Sequence, residues 1–424
     1  MRVLYLLSMN RTLYSLVGYL LLPFMVLRLL MKGIKTPAYR QRIHERLGFI
    51  HKIPVPVIWV HCVSVGEFRA ATVLIDQLIN NYPEHRVLVT TTTPTGSQAL
   101  KDHYRSEVLH YYFPFDLPLI VNRYIKQINP QICLLLETEI WPNLIHALNK
   151  NNIPSLLVNA RLSQRSLEKY QKFAPTLAKQ TLNKFTMIAT QNQNSADRFI
   201  LLGVNNDKVM VAGNIKFDQS PSVDKLICKK LKTMIGKRKV VIFASTHKGE
   251  EEDIINAYLK KPFDALMLIV PRHPERFNEV YELAQKNGLS ATKRSRNKPC
   301  ADCQVLLGDS MGEMMPYFDV ADIVFMGGSL NNTGGHNMLE PAALSKPILF
   351  GPNVFNFHEI SSDLLELQGS IQAQNADELL KEITQLLDDD KKVKTLGKNA
   401  NQYFKSQQGA VNNLIKQVES VLHP

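Results

Sequence analysis

A chain of 424 residues, 45% hydrophobic and 21% charged, is long enough for two or three domains and too apolar for intrinsic disorder. Five cysteines in that length exclude a disulfide-stapled secreted scaffold and suit a reducing compartment. Lys and Arg number 50 against 38 Asp and Glu, and the net charge of +12 calls for an acidic partner: nucleic acid, a membrane surface or a phosphorylated substrate.

Taken in chain order, the first feature is apolar. Arg11 and Arg28 are separated by 16 residues without a formal charge, and Leu29, Leu30 and Met31 prolong the run. A full span takes about 20 apolar residues, so 1–32 reads as a membrane anchor helix that spans the bilayer or lies in its interface, with a buried core helix as the bland alternative. Seven basic residues from Arg28 to Lys52 then face one acid, Glu45. Such a flank marks the cytoplasmic side and attracts an anionic membrane surface.

Beyond residue 55, apolar runs at 57–63, 86–92, 132–136, 155–158, 187–189 and 209–212 alternate with amphipathic helical patterns. Continuous apolar strands, each followed by a helix, predict a parallel sheet covered on both faces. Residues 213–238, strandless, Lys-rich and containing Pro221, read as a connector. A second series follows at 239–244, 265–270, 305–307, 322–326 and 347–350, and two helices are predicted at 376–387 and 391–421. The expected fold class is α/β: two doubly wound Rossmann-like domains facing across a cleft, at 33–215 and 239–424, joined by a linker at 216–238.

In such sheets ligands sit beyond the carboxyl ends of the strands. The string HCVSVGE (61–67) ends the first strand, and Glu67, after the turn at Gly66, is either a helix-capping carboxylate or a general base. Glu137 and Glu139 follow an all-apolar strand, where neither can be buried unpaired without high cost. Paired carboxylates invite a glycosidase or metal reading, and acidity at a helix start is the bland one. Lys216 neutralises a phosphate or developing anion, or is an ordinary linker lysine.

In the second series Pro271 and Pro274 fix a loop whose Arg272 and Arg276 are forks suited to phosphate. Met311, Gly312 and Glu313 place a glycine turn and backbone N–H groups at a helix start, an anion or base-edge site. The glycine-rich exits at 327–330 and 333–340 permit close approach to a phosphate, with Glu340 placed to accept from ribose hydroxyls. Neither GxGxxG nor a P-loop occurs, so dinucleotide dehydrogenases and P-loop NTPases are unsupported. Cys300 and Cys303 lack the second pair of a metal site. Basic residues are not interleaved with aromatics, which drops nucleic acid as a partner.

Seven features in this order, the hydrophobic N-terminus, HCVSVGE, LLLETEIWPNL, GNIKFD, PRHPER, GDSMGEM and GGSLNNTGGHNMLEPAAL, resemble the 3-deoxy-D-manno-octulosonic acid (Kdo) transferases of Gram-negative bacteria. The resemblance implies a GT-B fold and an inverting, metal-independent glycosyltransferase that moves Kdo from CMP-Kdo to the phosphorylated lipid A precursor (lipid IVA). It places this lipopolysaccharide inner-core chemistry at the cytoplasmic face of the inner membrane and requires no cofactor. It makes 33–215 the acceptor-binding domain and 239–424 the nucleotide-sugar-binding domain. By similarity Glu67 is the general base, and Glu137 and Lys216 assist the transition state, Glu139 being the other candidate for the assisting carboxylate. Pro271, Arg272, Met311, Gly312, Glu313, Asn337, Met338, Leu339 and Glu340 would hold CMP. The rival readings are another GT-B enzyme acting on UDP-sugars and a membrane-anchored nucleotide-binding protein without catalysis.

Overall fold

Residues 9–219, 222–300 and 302–423 are described by the computed structural model. Residues 1–8 of the expected anchor and Pro221 of the expected connector lie outside them. The chain divides into two units, Met1–Gln219 with Gln408–Pro424, and Ser220–Gln407.

The first unit is built on β1 (Val57–His61), β2 (Arg86–Thr91), β3 (Leu109–Tyr112), β4 (Pro130–Leu136), β5 (Ser155–Ala160), β6 (Met187–Thr190) and β7 (Val209–Val211). All pair in parallel, in the order β3-β2-β1-β4-β5-β6-β7. The interior strand β1 is buried throughout, as a sheet covered by helices on both faces requires. The chain winds outward from β1 to β3 and then returns to lay β4 on the other side of β1. The carboxyl ends of β1 and β4 therefore flank the topological switch point, where doubly wound sheets bind ligands.

The second unit repeats the plan with β8 (Val240–Thr246), β9 (Leu266–Pro271), β10 (Ala291–Lys293), β11 (Val305–Leu307), β12 (Ile323–Met326), β13 (Ile348–Phe350) and β14 (Ser370–Gln372). Its order is β10-β11-β9-β8-β12-β13-β14, so its switch point lies between β8 and β12.

Three boundaries differ from the sequence expectation. The pattern at 391–421 is two helices, Asp390–Ser406 and Ala410–Leu422, and the second belongs to the first unit. Ala410, Val411, Leu414 and Val418 pack into that unit's core, and Asp218 accepts the backbone N–H groups of Gly409 (2.6 Å) and Val411 (2.7 Å), capping the helix from far away in sequence. Gly213 is required here: its φ is +97°, and an added Cβ would lie 3.2 Å from that of Ala410. The expected linker 216–238 contracts, since Ile215–Asp218 forms a 3₁₀ turn of the first unit and Lys225–Ile235 an amphipathic helix of the second.

The N-terminal apolar segment is a helix, Arg11–Lys35, capped by Asn10. At 1.5 Å per residue it is about 37 Å long, enough to cross a hydrocarbon core of ~30 Å. It is not the core helix of the bland alternative: Leu16, Leu20, Phe24 and Leu27 are each at least half exposed. Ser15 and Arg11 fasten it to the body by hydrogen bonds to Asn143 Oδ1 of 3.0 and 3.2 Å.

Candidate active site

In the first unit, Ser64 caps the helix Val65–Asn81, and the Glu67 carboxylate turns back to accept the Val63 N–H at 2.6 Å. The capping role is thus realised, but it occupies one carboxylate oxygen only. Half-burial pushes the Glu67 pKa up to about 7, opposed by the Val63 N–H and reinforced by the charges of Glu137 and Glu139. A carboxyl group poised near neutrality at the switch point has the proton affinity of a general base.

Glu137 follows β4 in the left-handed region, at φ +55°. Its Oε1 lies 3.5 Å from Lys216 Nζ, so the two strand exits that sequence alone did not connect form one ion pair. Glu139 faces elsewhere: it accepts the Trp141 indole N–H at 2.8 Å and lies 3.8 Å from His61 Nε2. Burial raises its pKa to about 7. His61 is buried, stacked on Phe113, and held neutral by desolvation with its pKa near 3. Its Nδ1 lies 2.9 Å from Thr90 Oγ1 and 3.1 Å from Thr90 O, which fixes the ring with its Nε2 edge toward Glu139. Glu137 is the carboxylate paired with Lys216, Glu139 accepts from the Trp141 indole, and the charges of both bear on Glu67.

In the second unit Arg272 leaves the end of β9 exposed, its backbone N–H bound to Thr246 O. Arg276 differs from expectation. Its fork is filled by the buried Glu251, at 2.7 and 3.1 Å, so it braces the loop and is not available to a phosphate. The Glu313 side chain is also engaged, by Arg294 at 3.1 Å and Ser310 Oγ at 2.6 Å. Met338 and Leu339 are buried. The side chains at these positions are thus taken up by the protein itself, whereas Met311 is exposed beside Gly312. Asn337 binds Leu339 N (3.2 Å) and Glu340 Oε1 (3.3 Å), shaping the entry to the helix Leu339–Ala343.

Two features escaped the sequence reading. Glu250, almost wholly buried, accepts four backbone N–H groups: His247 at 2.9 Å, Gly328 at 2.7 Å, Ser329 at 3.1 Å and Leu330 at 3.0 Å. The N–H groups of the glycine-rich exit 328–330 are therefore consumed by the protein's own carboxylate, a correction to the expectation that they face a phosphate. Their signal was the acidic run opening the helix Glu250–Lys260, which reads as ordinary N-terminal acidity.

The second feature is an imidazole pair at the switch point. His247 Nε2 and His336 Nε2 are 2.8 Å apart, with the rings nearly parallel over Gly328, whose added Cβ would lie within 3.3 Å of both. That contact holds one proton, since one nitrogen must donate and the other accept. Burial and the neighbouring charges lower both pKa values, His336 to about 4. Elsewhere, Cys300 and Cys303 lie close together, their Cα atoms 5.1 Å apart. Among the described residues no group of three or more His, Cys, Asp or Glu is disposed to hold a metal ion.

The family model described as 3-Deoxy-D-manno-octulosonic-acid transferase (kdotransferase) matches residues 41–219. A 3-deoxy-D-manno-octulosonic acid transferase of Haemophilus influenzae is 42% identical over 90% of this chain and 92% of its own length. One of Rickettsia felis is 32% identical over 92% and 86% respectively. Among solved structures, a glycosyltransferase from Rickettsia africae superposes with a TM-score of 0.59 over 88% of this chain and all of its own, at 14% identity, a likeness of GT-B-type fold. Identity sustained over nearly the full length of such relatives shows that the chain belongs to the 3-deoxy-D-manno-octulosonic acid transferases and is a glycosyltransferase.

Proposed function

We propose that the protein moves Kdo from CMP-Kdo to a phosphorylated lipid A precursor (lipid IVA) in lipopolysaccharide inner-core synthesis, with inversion at the anomeric carbon and Glu67 as general base. The observation that carries this reading is the Glu67, Glu137 and Lys216 group at the first unit's switch point, in a chain of this family. The Glu67 carboxylate takes the proton of an acceptor hydroxyl as its oxygen attacks the anomeric carbon from the face opposite the phosphate. The bond to phosphate breaks and CMP departs. Lys216 meets the negative charge of the Kdo carboxylate, and Glu137 holds Lys216 in place.

Arg272 and the backbone around Met311–Glu313 and Asn337–Glu340 receive CMP, with Pro271 setting the loop. A single leaving phosphate needs one cation and a few N–H donors, so no metal or cofactor enters this reading. Incubation with CMP-Kdo and the lipid acceptor is expected to add the mass of Kdo to the acceptor by mass spectrometry; addition from a UDP-sugar instead would overturn the donor assignment.

The exposed apolar helix and the basic flank at 28–52 support attachment to the cytoplasmic face of the inner membrane. Removing residues 1–31 is expected to shift the protein from the membrane pellet toward the soluble fraction. Unchanged partition on ultracentrifugation would refute the anchor.

A further inference from the structure

The proposed reaction leaves the His247 and His336 pair without a role, although it stands where the donor's charge must be met. His247 follows β8 just after Ser245, a non-glycine residue in the left-handed region at φ +54°, and His336 lies in the glycine-rich exit after β12. These two strands flank the second unit's switch point. The ring centroids are 5.1 Å apart with 7° between the planes, while the Nε2 atoms are 2.8 Å apart. The rings thus meet edge to edge through an in-plane N–H···N bond, not face to face.

Counting protons shows what such a pair can become. A neutral imidazole carries one proton on one of its two nitrogens. The ring that donates through Nε2 keeps a bare Nδ1, and the ring that accepts at Nε2 carries its proton on Nδ1. Neither Nδ1 has a hydrogen-bond partner among the described residues. One further proton, on the bare Nδ1, makes the pair a cation with two N–H donors. That is the complement of a phosphate or carboxylate.

The surroundings keep that proton off and favour an anion that would bring it. Desolvation, then the charges of His273, Arg272 and Arg276, lowers the His247 pKa; desolvation, His247, Arg272 and His273 lower that of His336. The nearby carboxylates are committed. Glu251 opposes the shift at His247 but is held by the fork of Arg276, and Glu250 is spent on four backbone N–H groups. His273, its ring 5.3 Å from that of His247, has Glu275 at 3.9 Å. Arg272 is exposed and forms no ion pair among the described residues. An anion drawn to Arg272 raises the proton affinity of both imidazoles.

We propose that the His247–His336 pair takes up one proton from solvent when the donor binds and clamps an anionic group of it, phosphate or sugar carboxylate, through the two Nδ1 atoms. The proton returns to solvent when CMP leaves. The inference deepens the proposed function and rests on its nucleotide-sugar donor.

The test is titration calorimetry on the full-length protein in detergent micelles at pH 6.5, in two buffers of unequal ionisation enthalpy. Three probes are compared: cytidine, the methyl phosphodiester of CMP, which has no titrating phosphate proton near neutrality, and CMP-Kdo without acceptor. The methyl diester and CMP-Kdo are expected to take up ~0.5–1 proton and cytidine none, so the diester should bind ~3- to 10-fold tighter at pH 6.5 than at 7.5. Uptake with CMP-Kdo alone assigns the clamp to the sugar carboxylate. Uptake with neither overturns the proposal. The double variant His247→Gln, His336→Gln keeps amides that hydrogen-bond but cannot be charged, and is expected to lose both the uptake and the pH dependence. Should it not fold, His336→Gln serves, with uptake expected to fall by at least half; undiminished uptake in the variant overturns the pair's role. If the wild type takes up the proton with the diester but transfers no Kdo, the proposed function fails and the clamp stands.

Discussion

Glu67→Gln is expected to lower Kdo transfer at least ~100-fold while the protein stays folded and binds CMP as before. The substitution separates the two roles of this residue. A glutamine carbonyl still accepts the Val63 N–H, so the start of the helix Val65–Asn81 is kept, but the amide takes no proton from a hydroxyl. Glu67→Ala removes both, and its added cost of about 1 kcal/mol for the lost cap should appear as a lower Tm at the same loss of transfer. The pH profile supplies the sign. Burial raises the carboxyl pKa to about 7, and the base form exists above that value. Wild-type kcat/KM is expected to fall as pH drops through about 7, and the residual rate of Glu67→Gln to lack that limb. Wild-type transfer by Glu67→Gln, or an acid limb that persists in it, overturns the base assignment.

Much of this was legible from residue pattern because the physics is local. The buried strands of both sheets announce themselves as apolar runs, and 305–307 matches β11 residue for residue. The strands that were missed, β3, β10 and β14, are all sheet edges. Their sequences, LHYY, ATK and SIQ, carry polar residues because an edge is covered on fewer sides, so no apolar run marks them. Turn chemistry hid the split at 407–409, where polar helical periodicity continues on both sides. The site residues were legible as positions but not as partners. Nothing in the spacing joins Glu137 to Lys216 or His247 to His336, each closed by the winding of a sheet, or Asp218 to Val411, closed by the return of the last helix to the first unit. Arg276 and Glu251 show the reverse failure: a fork that reads as a phosphate ligand is satisfied inside its own unit.

Glu250 gives the largest expected effect on stability. Both its carboxylate oxygens are shared by two N–H donors each, His247 and Gly328 on Oε2, Ser329 and Leu330 on Oε1. Glu250→Ala would leave four buried N–H groups unpaired, at about 1–3 kcal/mol each, against a total domain stability of about 5–15 kcal/mol. That variant is expected not to yield a folded second unit. Glu250→Gln is milder and more informative. Its carbonyl serves two of the donors, while its NH₂ group meets the other two as donor against donor, a cost of about 2–4 kcal/mol. In chemical denaturation the unfolding midpoint should fall accordingly, and the amides of one donor pair should lose hydrogen-exchange protection. The same carboxylate positions the backbone beneath His247 and the loop under His336, so CMP affinity should weaken with it. A Glu250→Gln protein with wild-type midpoint and full protection at Gly328, Ser329 and Leu330 would show that another group satisfies these amides, and the glycine-rich exit would again be open to a phosphate.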